Sequence, residues 1–324
     1  MIRSAAGAGT GTYGSAGAAD PDGTLVVRAG RRHVTVRRPG KVLFPDPGVS
    51  KADLAAYYRR IAMFMLPQLR DRPLMLERLP DGLRGPRFMQ KDTPESWPPW
   101  VRRAPVDKEG GIVRHVVCDD SATLVLLADQ ACLTVHRWLS RTDRLPWPDR
   151  MVFDLDPPGN DFRAVRDAAH QLGELLDQLQ LPSAVMTTGS KGLHVVVPLN
   201  GHTTFDQSRS FAKDVAEALA ARYPSRLTTA VRKRARGERL YLDVQRNGYA
   251  QTAVAPWSPR ALAGAPVAVP VSWDQVEDPE VDARTWSLGD VEAVIEQAKR
   301  NPWAGLLTRG RALGPARKRL RALG

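Results

Sequence analysis

The chain has 324 residues, and its 47 lysine and arginine residues against 35 aspartate and glutamate residues give a formal net charge of +12. Such an excess of cations favours a polyanionic partner, and nucleic acid is the first candidate. No apolar run approaches the length of a membrane span, and residues 122–128 are too few even for the core of a signal peptide. The composition therefore argues against a membrane protein, and we expect a cytoplasmic, nucleoid-associated one.

Three segments of the chain differ in composition. Residues 1–23 are rich in Ala, Gly, Ser and Thr with almost nothing to bury, which predicts a disordered leader. Residues 24–304 suffice for one catalytic unit with two lobes. Residues 305–324 predict a disordered basic arm, which either contacts phosphates or only aids solubility. Cys118 and Cys132 form no Cys-x-x-Cys pattern, so we expect a reducing compartment and no structural zinc site.

Four stretches carry apolar residues at the spacing of an amphipathic helix. In chain order they cover about residues 50–69, 160–179, 205–222 and 288–300. Ser50, and either Asn160 or Asp161, are typical N-caps for the first two. Strand patterns lie at residues 151–156, 184–186, 195–199 and 239–244. Strands that alternate with helices in this way predict an α/β fold.

The strand pattern at residues 151–156 ends in two acids. Alternation places Asp154 and Asp156 on one face of the strand, about 6–7 Å apart. Hard cations such as Mg²⁺ and Mn²⁺ take oxygen ligands, and Mg²⁺ is typically held by one or two carboxylates together with substrate phosphates. Pro157 ends the strand, so the pair lies beside a loop. The same pair also occurs by chance at solvated strand ends.

A turn at residues 187–194 joins the next two predicted strands. Its glycines free the backbone for the close approach of an anion, Lys191 adds a charge, and Thr188 and Ser190 add hydroxyl groups. A third acid, Asp243, lies near the end of another predicted strand. Taken alone, the turn is an ordinary solvated hairpin. Together with three strand-borne acids it is what two-metal phosphoryl transfer requires.

These motifs resemble a known family. Asp-Leu-Asp-Pro at 154–157, Thr-Gly-Ser-Lys-Gly-Leu-His at 188–194, and Asp243 followed by Ala-Pro-Trp-Ser-Pro-Arg at 255–260 are similar to the polymerase domain of bacterial ligase D. That domain belongs to the archaeo-eukaryotic primase superfamily, and the likeness covers about residues 38–303. It implies a primase-like α/β fold with an RRM-like catalytic sheet and a smaller N-terminal lobe. It also implies a ribonucleotide-preferring nucleotidyl transferase that extends a primer 3′-hydroxyl.

The resemblance implies roles for individual residues. Asp154, Asp156 and Asp243 would be catalytic and would hold two Mn²⁺ or Mg²⁺ ions. A further group would bind the nucleotide: His136, Thr188, Ser190, Lys191, His194, Arg246 and Arg260. The alternative for His194 is a satisfied histidine at the start of a core strand.

The resemblance also implies contacts with DNA. Lys41 and Lys51 would grip the 5′-phosphate of the downstream strand, although Lys51 could instead be an exposed residue in the first turn of the helix that Ser50 caps. Phe88 would stack on the template, and Arg236 would contact template or phosphate. The implied partners are DNA ends and gaps with a 5′-phosphate, NTPs and dNTPs, an end-joining Ku protein and a separate DNA ligase. We expect a monomer.

Three other functions compete with this interpretation. A haloacid-dehalogenase phosphatase also begins from Asp-x-Asp, but Gly-Thr or Gly-Val usually follows its second acid, whereas Pro157 and Pro158 follow here. A metal-dependent glycosyltransferase would use Asp-x-Asp without a third acid so far downstream. A non-catalytic DNA-binding module would leave three acids in a basic protein without a role, since each repels phosphate in the absence of a metal.

Overall fold

The structure, a computed structural model, describes residues 23–308 and 310–323 of the chain. The strands of these residues, in chain order, are β1 (Thr24–Ala29), β2 (Arg32–Arg37), β3 (Val42–Phe44), β4 (Val49–Ser50), β5 (Leu74–Arg78), β6 (Phe88–Gln90), β7 (Arg103–Lys108), β8 (Gly111–Val116), β9 (Cys132–Trp138), β10 (Arg150–Asp156), β11 (Ala184–Thr187), β12 (Leu193–Pro198), β13 (Leu227–Thr228), β14 (Leu240–Asp243), β15 (Thr252–Val254) and β16 (Pro270–Val271).

The α-helices of the same residues are α1 (Lys51–Leu69), α2 (Ser121–Asp129), α3 (Phe162–Gln178), α4 (Phe205–Arg222), α5 (Lys233–Arg236), α6 (Trp273–Glu277), α7 (Val291–Arg300) and α8 (Leu313–Leu323). None of them is long and apolar enough to cross a membrane. Strands and helices are mixed throughout, so the α/β prediction is confirmed.

Two sheets position the site. The six-stranded sheet has the order β13-β14-β10-β12-β11-β16, in which only β13 and β14 pair in parallel. The four-stranded sheet has the order β15-β9-β5-β6 and is antiparallel. Helices α3 and α4 pack against β10. On that strand Phe153 and Leu155 belong to the main apolar core, while Val152 belongs to a second cluster with Leu139 and Val254 on the four-stranded sheet side.

Local signals in the sequence explain where the helices begin. The Ser50 hydroxyl accepts the backbone N–H of Asp53, whose carboxylate accepts the backbone N–H of Ser50, so this capping box starts α1 as predicted. Asp161 caps α3 by accepting two backbone N–H groups. The helix predicted over 205–222 is α4. The one predicted from residue 288 begins with a 3₁₀ turn, and α7 follows from Val291.

The expectation of a disordered C-terminal arm is wrong for the residues that form α8. Gly314 and Pro315 do not prevent this helix, because they lie in its first turn, where N–H groups have no intrahelical partner. Leu313 is buried, and Arg317 Nη1 lies 2.8 Å from Asp214 Oδ2 of α4. The tail is therefore docked. The predicted leader, by contrast, lies outside the described residues except for its last residue.

Candidate active site

The three predicted catalytic acids lie on two adjacent strands. Asp154 of β10 is directly opposite Asp243 of β14, and on its other side it is opposite His194 of β12. Side chains opposite each other in an antiparallel pair have Cβ atoms about 4.5–5.5 Å apart. Asp156 lies two residues further along β10 and therefore on the same face. The register of three strands thus gathers the acids and one histidine at one end of the sheet.

Asp154 is held between two basic groups. Its Oδ1 lies 3.5 Å from His194 Nε2 and its Oδ2 lies 3.5 Å from Arg246 Nε. Burial alone would raise the pKa of Asp154, but His194 and then Arg246 outweigh it, so the pKa lies below its usual value. The carboxyl group is therefore ionised at neutral pH, and it can accept a cation without first losing a proton.

The other two acids already have partners within the protein. Asp156 Oδ2 lies 3.0 Å from Arg236 Nη1, and the Arg236 guanidinium stacks over the Tyr241 ring at 3.8 Å. Asp243 Oδ1 accepts the backbone N–H of Gln245 at 2.8 Å. Arg236 thus neutralises one acid of the cluster directly.

The donor chemistry of the acids fits a hard divalent cation. No three acidic, histidine or cysteine side chains among the described residues stand close enough together to hold a metal ion on their own. Mg²⁺ commonly binds one or two carboxylates and takes its remaining ligands from substrate phosphates and water. Asp154 and Asp243, opposite each other in register, can provide such a pair.

The turn that joins β11 and β12 is folded by one hydroxyl group. Thr188 Oγ1 donates to the Gly192 carbonyl at 3.0 Å and accepts the backbone N–H groups of Ser190 and Gly192 at 3.3 Å. Lys191 remains exposed at the tip. The Thr188 hydroxyl, which the sequence assigned to the nucleotide, is therefore engaged inside the turn.

The glycines of this turn make close contacts with protein atoms. A Cβ at Gly192 would lie 1.9 Å from the Leu155 carbonyl oxygen of β10. Gly189 has φ +64°, and a Cβ there would lie 2.8 Å from Arg260 Cγ. Both glycines therefore let the turn pack against protein atoms, and the approach of a phosphate to their backbone stays a prediction.

Arg260 closes the site on the side of the turn. It is half-buried, and its Nη1 donates to the Thr188 carbonyl. Its buried Nε has no hydrogen-bond partner among the described residues. Burial lowers the pKa of the guanidinium, partly opposed by Glu77 and Asp154. Arg260 therefore brings a positive charge to the cleft, and its Nε donor is not used by the described residues.

The four-stranded sheet contributes His136 and a residue that sequence reasoning missed. His136 Nε2 lies 3.6 Å from Glu77 Oε2, while Glu77 Oε1 lies 2.9 Å from Arg87 Nη1. Burial lowers the pKa of His136, and the hydrogen bond with Glu77 opposes that effect. Glu77 lies far from His136 in sequence, and only the β5–β9 pairing brings them together. The available signal was an acid that directly follows three apolar residues in β5.

Asn247 was missed as well. Its side chain is buried beside β10, where Oδ1 accepts the Val152 N–H at 2.8 Å and Nδ2 donates to the Val152 carbonyl at 2.7 Å. The amide therefore bonds to β10 as a neighbouring strand would. It anchors the short 3₁₀ turn that carries Arg246, and so fixes that arginine beside Asp154.

These groups line one cleft of about 220 Å³. It brings together every residue that the sequence assigned to catalysis or to the nucleotide: His136, Asp154, Asp156, Thr188, Ser190, Lys191, His194, Asp243, Arg246 and Arg260. The four residues assigned to DNA do not line it: Lys41, Lys51, Phe88 and Arg236. Arg236 nevertheless reaches the cleft through Asp156.

The backbones of Lys41 and Lys51 lie side by side, and each side chain already has an acidic partner. The strands β3 and β4 pair, and the Lys51 N–H donates to the Lys41 carbonyl. Lys41 Nζ lies 2.6 Å from Asp81 Oδ1. Lys51 is buried, contrary to the exposed alternative, and its Nζ donates to the Asp129 carbonyl at 2.8 Å. Burial lowers the pKa of Lys51, although Asp129 opposes this.

Phe88 lies on β6, the edge strand of the four-stranded sheet. It is 52% exposed and its neighbour Met89 is 50% exposed. Large apolar side chains that remain in solvent at a sheet edge are available to a partner.

Comparison with known proteins gives a consistent result. A family model, LigD primase-polymerase domain, matches residues 50–303. The multifunctional non-homologous end joining protein LigD of Mycolicibacterium smegmatis is 33% identical over 251 residues, 76% of this chain and 33% of that protein. The multifunctional non-homologous end joining DNA repair protein LigD of Mycobacterium tuberculosis is 32% identical over 307 residues, 90% of this chain and 40% of that protein.

A solved structure extends the likeness to three dimensions. The polymerase domain from Mycobacterium tuberculosis ligase D in complex with DNA superposes with a TM-score of 0.79 at 30% identity. The match covers 86% of this chain and 99% of that domain. The predicted primase-polymerase fold is therefore confirmed. The chain spans between a third and two fifths of the length of the two LigD relatives above.

Proposed function

The chain belongs to the LigD primase-polymerase domain family, which is a family of nucleotidyltransferases, and from this premise we propose that it extends primers and fills gaps at DNA breaks during non-homologous end joining. The observation that carries the proposal is the single cleft in which three strand-borne acids face a basic turn and a half-buried arginine, Arg260. Acids that would repel a triphosphate are useful there only if cations bridge them to it.

Two Mn²⁺ or Mg²⁺ ions would be held by Asp154, Asp156 and Asp243. When bound, such ions neutralise charge on the attacking and leaving oxygens of a phosphoryl transfer. The chain itself prepares the acids. Cross-strand pairing fixes Asp154 opposite Asp243, and the basic groups beside Asp154 keep it ionised. Before any ion binds, Arg236 balances the charge of Asp156.

The basic side chains of the cleft would bind the nucleotide. Lys191 at the tip of the turn and the guanidinium of Arg260 would meet the triphosphate, and Arg246 lies beside Asp154. Ser190 and His194 would assist them, while Thr188 would act by holding the turn in shape. His136, oriented by Glu77, would lie against the nucleotide sugar. Donors fixed before the substrate arrives need no reorganisation during reaction.

The DNA contacts lie outside the cleft. Phe88 would stack on the template, and Arg236 would contact template or phosphate. Lys41 and Lys51 would receive the 5′-phosphate of the downstream strand, exchanging their acidic partners for it. We also propose a preference for ribonucleotides, a monomeric enzyme, and a Ku protein and a DNA ligase as partners at the break.

Nucleotide addition to a primed template tests this function. We expect extension by the wild-type protein, faster with NTPs than with dNTPs, and a loss on the order of 10³-fold or more for Asp154→Asn and Asp243→Asn. Both changes keep the side-chain shape and remove the charge. Asp107→Asn, at an exposed position on β7, is the matched control and should extend primers like wild type.

DNA affinity should survive both active-site substitutions, because phosphate contacts by basic residues dominate it. Full activity of Asp154→Asn in Mn²⁺ would refute the metal-site assignment. Release of phosphate from a monoester without primer extension would favour the phosphatase instead, and transfer from a nucleotide sugar would favour the glycosyltransferase.

A further inference from the structure

A second cluster of charged residues lies at the other end of β10. Five guanidinium groups and two carboxylates meet there, and the members are Arg72, Arg137, Arg141, Arg144, Arg150, Asp143 and Asp149. Asp154 and Asp156 lie at the C-terminal end of the same strand, on the same face as Arg150, because the positions differ by an even number of residues.

One carboxylate oxygen serves three of these arginines. Asp149 Oδ2 lies 2.6 Å from Arg72 Nη2, 3.1 Å from Arg141 Nε and 3.7 Å from Arg150 Nη1. The charge of these arginines, together with buried Arg137, exceeds what Asp149 supplies. Burial lowers the pKa of Arg150 to about 10, and the neighbouring arginines add to that effect. Buried charges without equal compensation are costly, so the cluster favours an additional anion.

The cluster opens to solvent through a cleft of about 440 Å³. We call this the distal cleft and define it by Arg141, Arg144, Trp147, Arg150 and Asn200. Arg150 is 4% exposed, and its buried Nε has no hydrogen-bond partner among the described residues, which leaves a donor unused beside the cleft. At the rim, the Arg144 guanidinium lies over the Trp147 ring at 5.8 Å, and this tryptophan is 40% exposed.

We propose that the distal cleft binds a backbone phosphate of the DNA on which the enzyme acts, with Trp147 at the rim available to stack on a base. Arginine is well suited to phosphate, and exposed aromatic rings stack on bases without regard to sequence. This inference rests on the proposed polymerase function. It adds a contact remote from the chemistry, one that would hold the DNA while its end is extended.

The position of the cleft sets a minimum length for that DNA. Arg150 and Asp156 are six residues apart in one strand, which corresponds to about 20 Å. For a duplex whose axis runs parallel to β10, a rise of about 3.4 Å per base pair places the distal cleft roughly six base pairs from the reacting end. In that orientation a shorter stem ends before the cleft.

DNA of two lengths tests the proposal. The probes are primer–template stems of about 4 and about 14 base pairs, chosen on either side of that limit, with the far end of each stem closed by an uncharged ethylene glycol linker. Wild type should bind the longer stem about tenfold more tightly, and Arg144→Glu and Trp147→Ala should each remove most of that gain. Arg59→Glu, an equal charge change at an exposed position on α1, should keep it.

Separate readouts distinguish the possible failures. Nucleotide addition by wild type on the short stem tests the proposed function itself, whatever happens at the distal cleft. Equal losses on both stems, or no gain from length in wild type, would overturn the distal contact. Titration with inorganic phosphate identifies the source of the anion. If phosphate raises the melting temperature only when Arg144 is present, and the stem length has no effect on DNA affinity, the cleft binds free phosphate and the distal DNA contact is overturned. Melting curves confirm that the variants are folded.

Discussion

Gly192→Ala should strongly slow primer extension although glycine performs no chemistry. The added methyl carbon would lie 1.9 Å from the Leu155 carbonyl oxygen and 3.1 Å from its carbonyl carbon. Carbon and oxygen in close contact stay about 3.3 Å apart, so the turn and β10 must separate by about 1.4 Å. That movement carries Lys191 away from Asp154 and Asp156.

The expected loss can be estimated from this displacement. A misplacement of about 1 Å in a catalytic site costs about 10²-fold in rate, and over-packing typically destabilises by about 1–3 kcal/mol. We therefore expect the rate of primer extension to fall about 10²-fold. The melting temperature should fall by roughly 2–10 °C. The backbone of Gly192 itself is unstrained, so the effect is steric.

Gly159→Ala is the matched control. Gly159 lies in the loop just after Asp156, and a Cβ at this position would meet nothing within 4 Å. It should extend primers within about twofold of wild type, since exposed substitutions away from such contacts are nearly neutral. Primer extension under single-turnover conditions and differential scanning calorimetry measure the two effects. Normal activity and melting of Gly192→Ala would refute the argument that this close contact positions the turn.

Three further predictions concern stability and DNA binding. Asp149→Asn should destabilise by about 3–5 kcal/mol at neutral pH, because it leaves buried arginines without their acid. The folded-state pKa of Asp149 lies below the unfolded value near 3.9, so this contribution is complete above that pH and is lost as the pH falls through the folded-state pKa. Urea unfolding at neutral and acidic pH should therefore show the free energies of unfolding of wild type and variant converging in acid. Asn247→Ala should destabilise by about 1–3 kcal/mol for each Val152 group left unpaired and should raise the KM for nucleotide, which an unchanged melting curve and KM would contradict. Phe88→Ala should weaken binding to gapped DNA by about 1–3 kcal/mol with little change in melting temperature, whereas Ile112→Ala, equally exposed elsewhere, should bind normally; equal losses in a fluorescence titration would remove the stacking role.

The elements that the sequence predicts well are those with local signals. Ser50 and Asp161 start α1 and α3 through hydrogen bonds to residues two or three positions away, so their caps can be identified without knowledge of the fold. The acids and the turn were found by motif and spacing. The structure adds the register, in which Asp154 meets Asp243 and His194.

The features that were missed depend on distant partners. Glu77 acts on His136, and Asn247 on Val152, only after strands far apart in sequence have paired. The basic tail was expected to be disordered because its glycines and proline are poor helix formers. Its helix depends instead on packing against α4, through contacts such as the one between Arg317 and Asp214, and propensity gives way to such tertiary contacts.

The central place of β10 in the six-stranded sheet limits how proteins of this kind can change length during evolution. The strand is bonded to β12 on one edge and to β14 on the other. One inserted or deleted residue within it would turn Asp154 and Asp156 from the cleft to the opposite face. Tolerated insertions should therefore fall in the connecting loops, such as residues 157–161 and 179–183. Relatives with new substrate preferences should differ in the lengths of those loops and should retain the sheet.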